Sequence, residues 1–220
     1  MNSSKTLVQN NQRIVIESPG RMEIAGNGRS ATAVRVIEGT FRSLVIEGAF
    51  DVCVVPGGPA EAVISGDENL LQLVVLRVAD GVLTVALEQN VAYSSANLLQ
   101  LQLRAPEIVS VRLGGRGSVT LRDALQDGVA IEISGSGSVT AAGQVSAALL
   151  RLTGVGRIDT SALQAEYVAI AVNGEGDVEA FASERAVVHV TGAGHVRLLG
   201  EPADRDVRCG PAGTVTLVAR

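Results

Sequence analysis

The chain has 220 residues, 18 Lys and Arg against 23 Asp and Glu, a net charge of −5, and 2% aromatic residues with no Trp. A mild negative charge with no basic cluster excludes a nucleic-acid footprint, and so few rings leave no stacking platform for bases or an ordinary sugar site. No apolar run approaches the roughly eighteen residues of a membrane helix, so no membrane span is expected.

Residues 1–12 are polar and rich in Asn and Gln, which points to a flexible arm or an oligomer contact. Ile14 and Ile16, then Met22 and Ile24, alternate around Ser18-Pro19-Gly20, and Gly26-Asn27-Gly28 reads as an imperfect corner. Residues 1–32 are therefore expected to form an N-terminal arm and an imperfect first coil. Residues 33–108 are expected to be an irregular β region. Within it, Leu44, Ile46, Phe50, Val52 and Val54 share one parity of a long strand that bends at Gly48. Pro56 to Pro59 is a turn, Ala62–Ser65 a short strand, and Asp67–Leu71 one helical turn capped by Asp67. Asp80-Gly81 between Val74–Val78 and Val82–Leu87 is a strong mark of an antiparallel hairpin. Glu88–Asn97 reads as a polar loop, and Leu98–Arg104 as a strand closed by Ala105-Pro106.

From residue 109 to 220 the chain becomes regular. A five-residue phrase recurs six times: Gly115-Arg116-Gly117-Ser118-Val119, then phrases beginning at Gly135, Gly154, Gly174 and Gly192, and a degraded copy at Pro211. Its second glycine falls at 117, 137, 156, 176, 194 and 213, a period of about 18 to 20 residues that marks a solenoid. Apolar residues stand six and four positions before that glycine (Val111 and Leu113, Ile131 and Ile133, Leu150 and Leu152, Ile170 and Val172, Val188 and Val190, Val207 and Cys209) and two after it. Polar residues lie between them, which is the period-two pattern of strands with one buried face. Two strands per repeat cannot bury that face alone, but stacked coils can. Gly115, Gly117, Gly135, Gly137, Gly154, Gly156, Gly174, Gly176, Gly192 and Gly194 are then structural corner residues, needed for positive φ or close backbone approach. A strand rather than a helix follows each pair, which excludes a phosphate cradle. Ser134, Thr153, Asn173 and Thr191 form a column able to hydrogen-bond along the stack. Cys209 stands in an inward column as a small buried hydrophobe, and Cys53 lies on the opposite strand face, so no disulfide framework is expected.

Outward positions after the corner carry the charge. Stacking puts Arg157, Asp177 and His195 in one column and Asp159, Glu179 and Arg197 in the next, with Glu175 at the same corner. Asp159 and Glu179 one coil apart could set two carboxyls about 5 Å from each other, the spacing of a retaining glycosidase, with His195 assisting proton transfer. The plainer reading is an alternating-sign salt ladder, and with no aromatic subsite the chain is expected not to be an enzyme. Calcium-binding nonapeptide repeats need an aspartate in every turn, and only Asp177 approaches that pattern. His189 and His195 lack the spacing and companions of a zinc site. Neither metal nor cofactor is expected.

The Leu44–Val54 strand, the Gly66-Asp67-Glu68-Asn69 stretch, the Asp-Gly hairpin, Ala105-Pro106-Glu107-Ile108 and the Gly-Ser-Gly-Ser-Val coils occur together in order. In this the chain resembles the DUF2807 family, the auto-transporter adhesin head GIN domain, over about residues 33–217. The resemblance implies a right-handed parallel β-helix-like fold in a bacterial protein and brings no catalytic residues. The sequence reading is thus an all-β solenoid with coils of about 19 residues and an N-terminal region containing a hairpin. Its expected role is a non-catalytic structural or adhesin-like scaffold that binds a cell-surface protein or glycan, or self-associates as a homo-oligomer. The alternative is a bactofilin-like filament of end-to-end coils, and a third, weaker reading is a polysaccharide-processing enzyme. Met1-Asn2-Ser3-Ser4-Lys5 has no apolar h-region behind it, so the expected location is cytoplasmic if Met1 is the native start, and exported or at the cell surface if the chain is a processed or truncated form.

Overall fold

The computed structural model describes residues 5–9, 12–18, 21–96 and 98–219, with the backbone alone for residues 5–21. The start of the expected arm, residues 1–4, lies outside the described residues, as do Pro19 and Gly20 of the expected turn. Strands make up 72% of the chain and helix 2%, arranged as a β-solenoid of about 5 turns with coils about 20 residues apart.

In chain order the strands are β1 (Lys5–Gln9), β2 (Gln12–Ser18), β3 (Arg21–Ala25), β4 (Ser30–Val36), β5 (Ser43–Ile46), β6 (Ala49–Pro56) and β7 (Glu61–Asp67). One helical turn, α1 (Glu68–Leu71), precedes β8 (Val74–Ala79), β9 (Val82–Leu87), β10 (Val91–Ser94), β11 (Leu99–Ala105) and β12 (Ser110–Leu113). Three long strands follow, β13 (Arg116–Ile133), β14 (Ser136–Leu152) and β15 (Val155–Val172), and then β16 (Glu175–Phe181), β17 (Arg185–Val190), β18 (Ala193–Leu199), β19 (Asp204–Cys209) and β20 (Thr214–Val218).

Two sheets run the length of the stack and meet at the glycine corners. The pre-corner sheet contains β8, β9, β5, β12, the second halves of β13, β14 and β15, then β17 and β19. The post-corner sheet contains β4, β7, β11, β6, the first halves of β13, β14 and β15, then β16, β18 and β20. Between the halves of the long strands, Ala124–Gln126, Gly143–Val145 and Ala162–Ala165 form a short third side. The coils pair in parallel and in register: Gly117 lies beside Gly137, Gly137 beside Gly156, and Gly156 beside Gly176. Like side chains therefore pile on like. In one inward column Val111, Ile131, Leu150, Ile170 and Val188 are all fully buried, giving the continuous aliphatic core that a two-strand coil cannot make alone.

The glycines act mainly by close approach. A Cβ on Gly135 would fall 2.0 Å from the carbonyl oxygen of Gly115, and one on Gly154 would fall 2.0 Å from that of Gly135. Gly176 adds a positive φ of 131°. The hydrogen-bonding column is real in part: the Thr191 hydroxyl is 2.8 Å from the Asn173 side-chain oxygen, and Thr153 donates to the Ile133 carbonyl.

The structure corrects several expectations. The first coil is β5 and β6, which pair in parallel with β12 and β13; the regular stack thus begins at Ser43 and is interrupted by residues 57–109. Residues 1–32 do not supply a first coil among the described residues. There β1, β2 and β3 make a four-stranded sheet with β10, which lies inside the expected polar loop 88–97. Gly26 to Gly28 lies off the stack, where the Asn27 amide donates to the Asn69 side chain. The one helical turn forms, but Asp67 does not cap it with its side chain; its carboxylate accepts the Ser95 hydroxyl instead (2.9 Å). The hairpin stands as expected, with β8 and β9 antiparallel around Asp80 (φ 50°) and Gly81 (φ 75°), the two positive φ values of a type I′ turn.

The two ends of the stack differ. At the head, α1 roofs the core: Leu70, Leu71 and Leu73 are buried beneath it, while Glu68 and Gln72 face solvent. Arg35 pins this roof by donating to the carbonyls of Leu71 (2.8 Å) and Val74. At the other end β19 and β20 are the last strands of the stack among the described residues. Val188 is 1% exposed and its neighbour in the next coil, Val207, is 40% exposed; Leu198 is 0% exposed and Leu217 is 49%. Cys209, expected to be buried, is exposed: it stands in the inward column above Val190, and none of the described residues forms a coil beyond it. Both cysteines are free.

Candidate binding surface

The parallel register carries the outward charged residues into columns. Arg157, Asp177 and His195 align on β15, β16 and β18, and Asp159, Glu179 and Arg197 align beside them. The Arg157 guanidinium reaches Asp159 (3.4 Å) and Glu179 (3.2 Å), and Arg197 reaches the same Glu179 oxygen (3.4 Å). This is a four-membered ladder with two cations and two anions. Glu175, Asp177 and His195 take part in no ion pair among the described residues.

The ladder does not suit acid–base chemistry. Burial pushes the Asp159 carboxyl up, but the Ser161 hydroxyl (2.7 Å) and amide (3.2 Å), with Arg157, outweigh it and hold it below the ordinary value of 3.8. A general acid needs the opposite displacement. Both carboxylates face guanidiniums rather than an open cleft. No group of three His, Cys, Asp or Glu side chains among the described residues converges closely enough to hold a metal ion.

The pre-corner sheet presents a surface that the charge pattern does not reveal. Ala130, Leu149, Ala169 and Val187 form one outward row across four coils, and Ala147 and Tyr167 flank it. Leu149 is 50% exposed. Arg112, Glu132, Arg151 and His189 rim the row on one side, with Arg112 paired to Glu132 at 3.0 Å; at its far end Arg185 stands over the Tyr167 ring, 6.0 Å from its centroid. The signal for this row lies in the doublets Leu149-Leu150 and Val187-Val188. In a period-two strand one member of an apolar doublet must face outward.

A separate open cleft of about 1030 Å³ lies where β10 faces the first glycine corners. Glu23, Glu47, Glu88, Asn90, Arg116 and Ser136 line it. Tyr93 fixes its wall: the buried phenol donates to the Ala49 carbonyl (2.6 Å) and accepts from the Leu99 amide (3.0 Å).

Comparison with known proteins agrees with this architecture. No curated protein matches the chain. Among solved structures, one described as a putative adhesin from Bacteroides fragilis is 21% identical with a TM-score of 0.68, covering 89% of this chain and 100% of that one. A second, a putative adhesin from Parabacteroides merdae, is 19% identical with a TM-score of 0.52, covering 89% and 99%. At these identities they show the fold. Residues 40–202, from the approach to the first coil through the turn before β19, match the family model DUF2807, "Putative auto-transporter adhesin, head GIN domain", and the chain belongs to that family.

Proposed function

We propose that this chain is a non-catalytic, adhesin-like scaffold that holds two flat sheet surfaces toward a cell-surface protein or glycan. The observation that carries this reading is the outward row of Ala130, Leu149, Ala169 and Val187, apolar side chains held on a rigid sheet with a charged rim. An apolar centre with a polar rim is the layout of a protein contact. On the other sheet, Glu175, Asp177 and His195 stand beside a self-satisfied ladder of Arg157, Asp159, Glu179 and Arg197. Of these, the Glu175 and Asp177 carboxylates are charges available for recognition there. The family's description as an adhesin and the adhesin descriptions of the similar structures support the same reading.

The test is a solid-phase panel of immobilised glycans and cell-surface proteins probed with the labelled chain. Retention on at least one member is expected. Leu149→Asp should lower it at least about tenfold, the loss of about 1.4 kcal/mol that one anchor can supply. Glu175→Lys with Asp177→Lys should change its salt dependence. Retention on no member, or retention indifferent to both variants, would count against the proposal.

A further inference from the structure

We propose that the open edge of β10 is a strand-addition site, and that the cleft beside it takes an extended, basic peptide segment of a partner protein as a further β-strand. β10 pairs with β3 and with no other strand among the described residues. The Met22 amide donates to the Asn90 carbonyl (2.7 Å) and the Gly26 amide to the Ser94 carbonyl (2.8 Å). In a parallel ladder alternate residues bond to the neighbouring strand. Residues 90, 92 and 94 therefore turn toward β3, and Val91 and Tyr93 turn their main-chain groups the other way. The cleft of about 1030 Å³ runs along this strand, with Val91, Ala92 and Tyr93 in its lining.

The wall across the cleft cannot pair with that edge. It is built from the corners at Gly48, Gly114, Gly115 and Gly135, whose main-chain groups are already engaged within the stack. The Arg116 amide donates to the Gly48 carbonyl (2.8 Å), the Gly114 amide to the Ile46 carbonyl (2.9 Å), and the Ser136 amide to the Gly115 carbonyl (2.9 Å). Corners without side chains also leave the room that another strand needs. The edge itself is held in place, because the Tyr93 phenol ties β10 to Ala49 of the first coil and to Leu99. A site fixed in this way needs little further ordering when a partner binds. Val91-Ala92-Tyr93-Ser94 carries neither charge nor proline, the devices that ordinarily guard a strand edge.

The lining selects the occupant. Main-chain bonds give such a site its affinity, and alternate side chains give it selectivity. Ala92 and Glu23 are neighbours on one face of the small sheet, while Tyr93 and Ile24, both buried, share the other. A strand laid on β10 continues that alternation. Its residue beside Ala92 stands two strand spacings, about 10 Å, from Glu23, a gap that a lysine or arginine side chain spans. Glu47 and Glu88, both exposed, also line the cleft, against the single cation Arg116. None of the three glutamates is ion-paired among the described residues. Ala49, Ala86 and Leu87 supply an apolar part of the lining. The segment that fits alternates basic with apolar residues. The site shares no residue with the Leu149 row or the charged ladder, so it stands or falls apart from what those surfaces bind.

The experiment is fluorescence anisotropy of the full chain with a labelled hexapeptide of alternating lysine and valine. Saturable binding is expected, and a hexapeptide of alternating glutamate and valine should not bind. The lysine peptide methylated on every main-chain nitrogen should bind at least about tenfold more weakly, and Glu23→Gln with Glu88→Gln should weaken the unmethylated peptide by a similar factor. Amide exchange followed by NMR locates the added strand: the Tyr93 amide should slow when the peptide binds, while the Ala92 amide, which already faces β3, should not change. No saturable binding, equal binding of the methylated or the glutamate peptide, indifference to the double variant, an unchanged Tyr93 amide, or binding of a chitosan oligosaccharide in place of the peptide would overturn the proposal.

Discussion

At the residue scale the stack is held by contacts that leave no room for change. Gly135 lies directly over Gly115, and a methyl group placed there would stand 2.0 Å from a backbone oxygen with no side chain to move aside. Gly135→Ala is therefore expected to cost about 3 kcal/mol in denaturant unfolding, the upper range of overpacking effects. A neutral response would mean the coils can spread. Asp159 makes a pH-dependent prediction. Its folded-state pKa is lowered, so the stability it contributes is complete above the ordinary value of 3.8 and is lost as the pH falls through the lowered value. Asp159→Asn should accordingly be less stable than wild type at pH 7, and the gap should close in acid. Thermal melts of the two proteins from pH 7 to pH 2.5 check this; a gap independent of pH would remove the Ser161 and Arg157 contacts as its cause.

At the element scale, the head roof depends on one guanidinium. Arg35→Ala removes the donors to the Leu71 and Val74 carbonyls and should cost about 2 kcal/mol, the range of hydrogen bonds from a charged group. Hydrogen exchange should speed up in α1 and β8 first, while β13 to β15 stay protected. Equal acceleration everywhere would show that the roof and the coils open as one unit. This is also the scale at which the sequence was legible or not. Val111, Ile131, Leu150 and their neighbours spell the coils because stacking in register repeats the same environment every 18 to 20 residues. The β5–β6 coil shares that environment, but it is separated from its neighbour by residues 57–109, so no period points to it. The pairing of β10 with β3 joins segments 69 positions apart in register and leaves no local pattern. Cys209 carries the inward signature, yet exposure depends on whether another coil follows, which periodicity does not state. The columns of Arg157, Asp177 and His195, and of Asp159, Glu179 and Arg197, could be read from the repeat alone. The Leu149 row was legible only as apolar doublets that the alternation should not contain.

At the scale of the whole molecule, the coils act as interchangeable rungs on two outward surfaces. Each contributes one inward layer and one outward row, and its contacts are chiefly to its neighbours, so stability should be close to a sum over coils and interfaces. The most direct measurement of that claim is the removal of one entire rung. Deleting residues 155–174 joins Gly154 to Glu175, which already lies beside Val155 in register, and brings Val187 next to Leu149 where Ala169 had stood between them. The shortened chain is expected to fold with a single cooperative thermal transition, a strand-type circular dichroism spectrum unchanged per residue, and a lower melting temperature. A chain that fails to fold, or that melts without cooperativity, would contradict the description of this protein as a stack of equivalent coils.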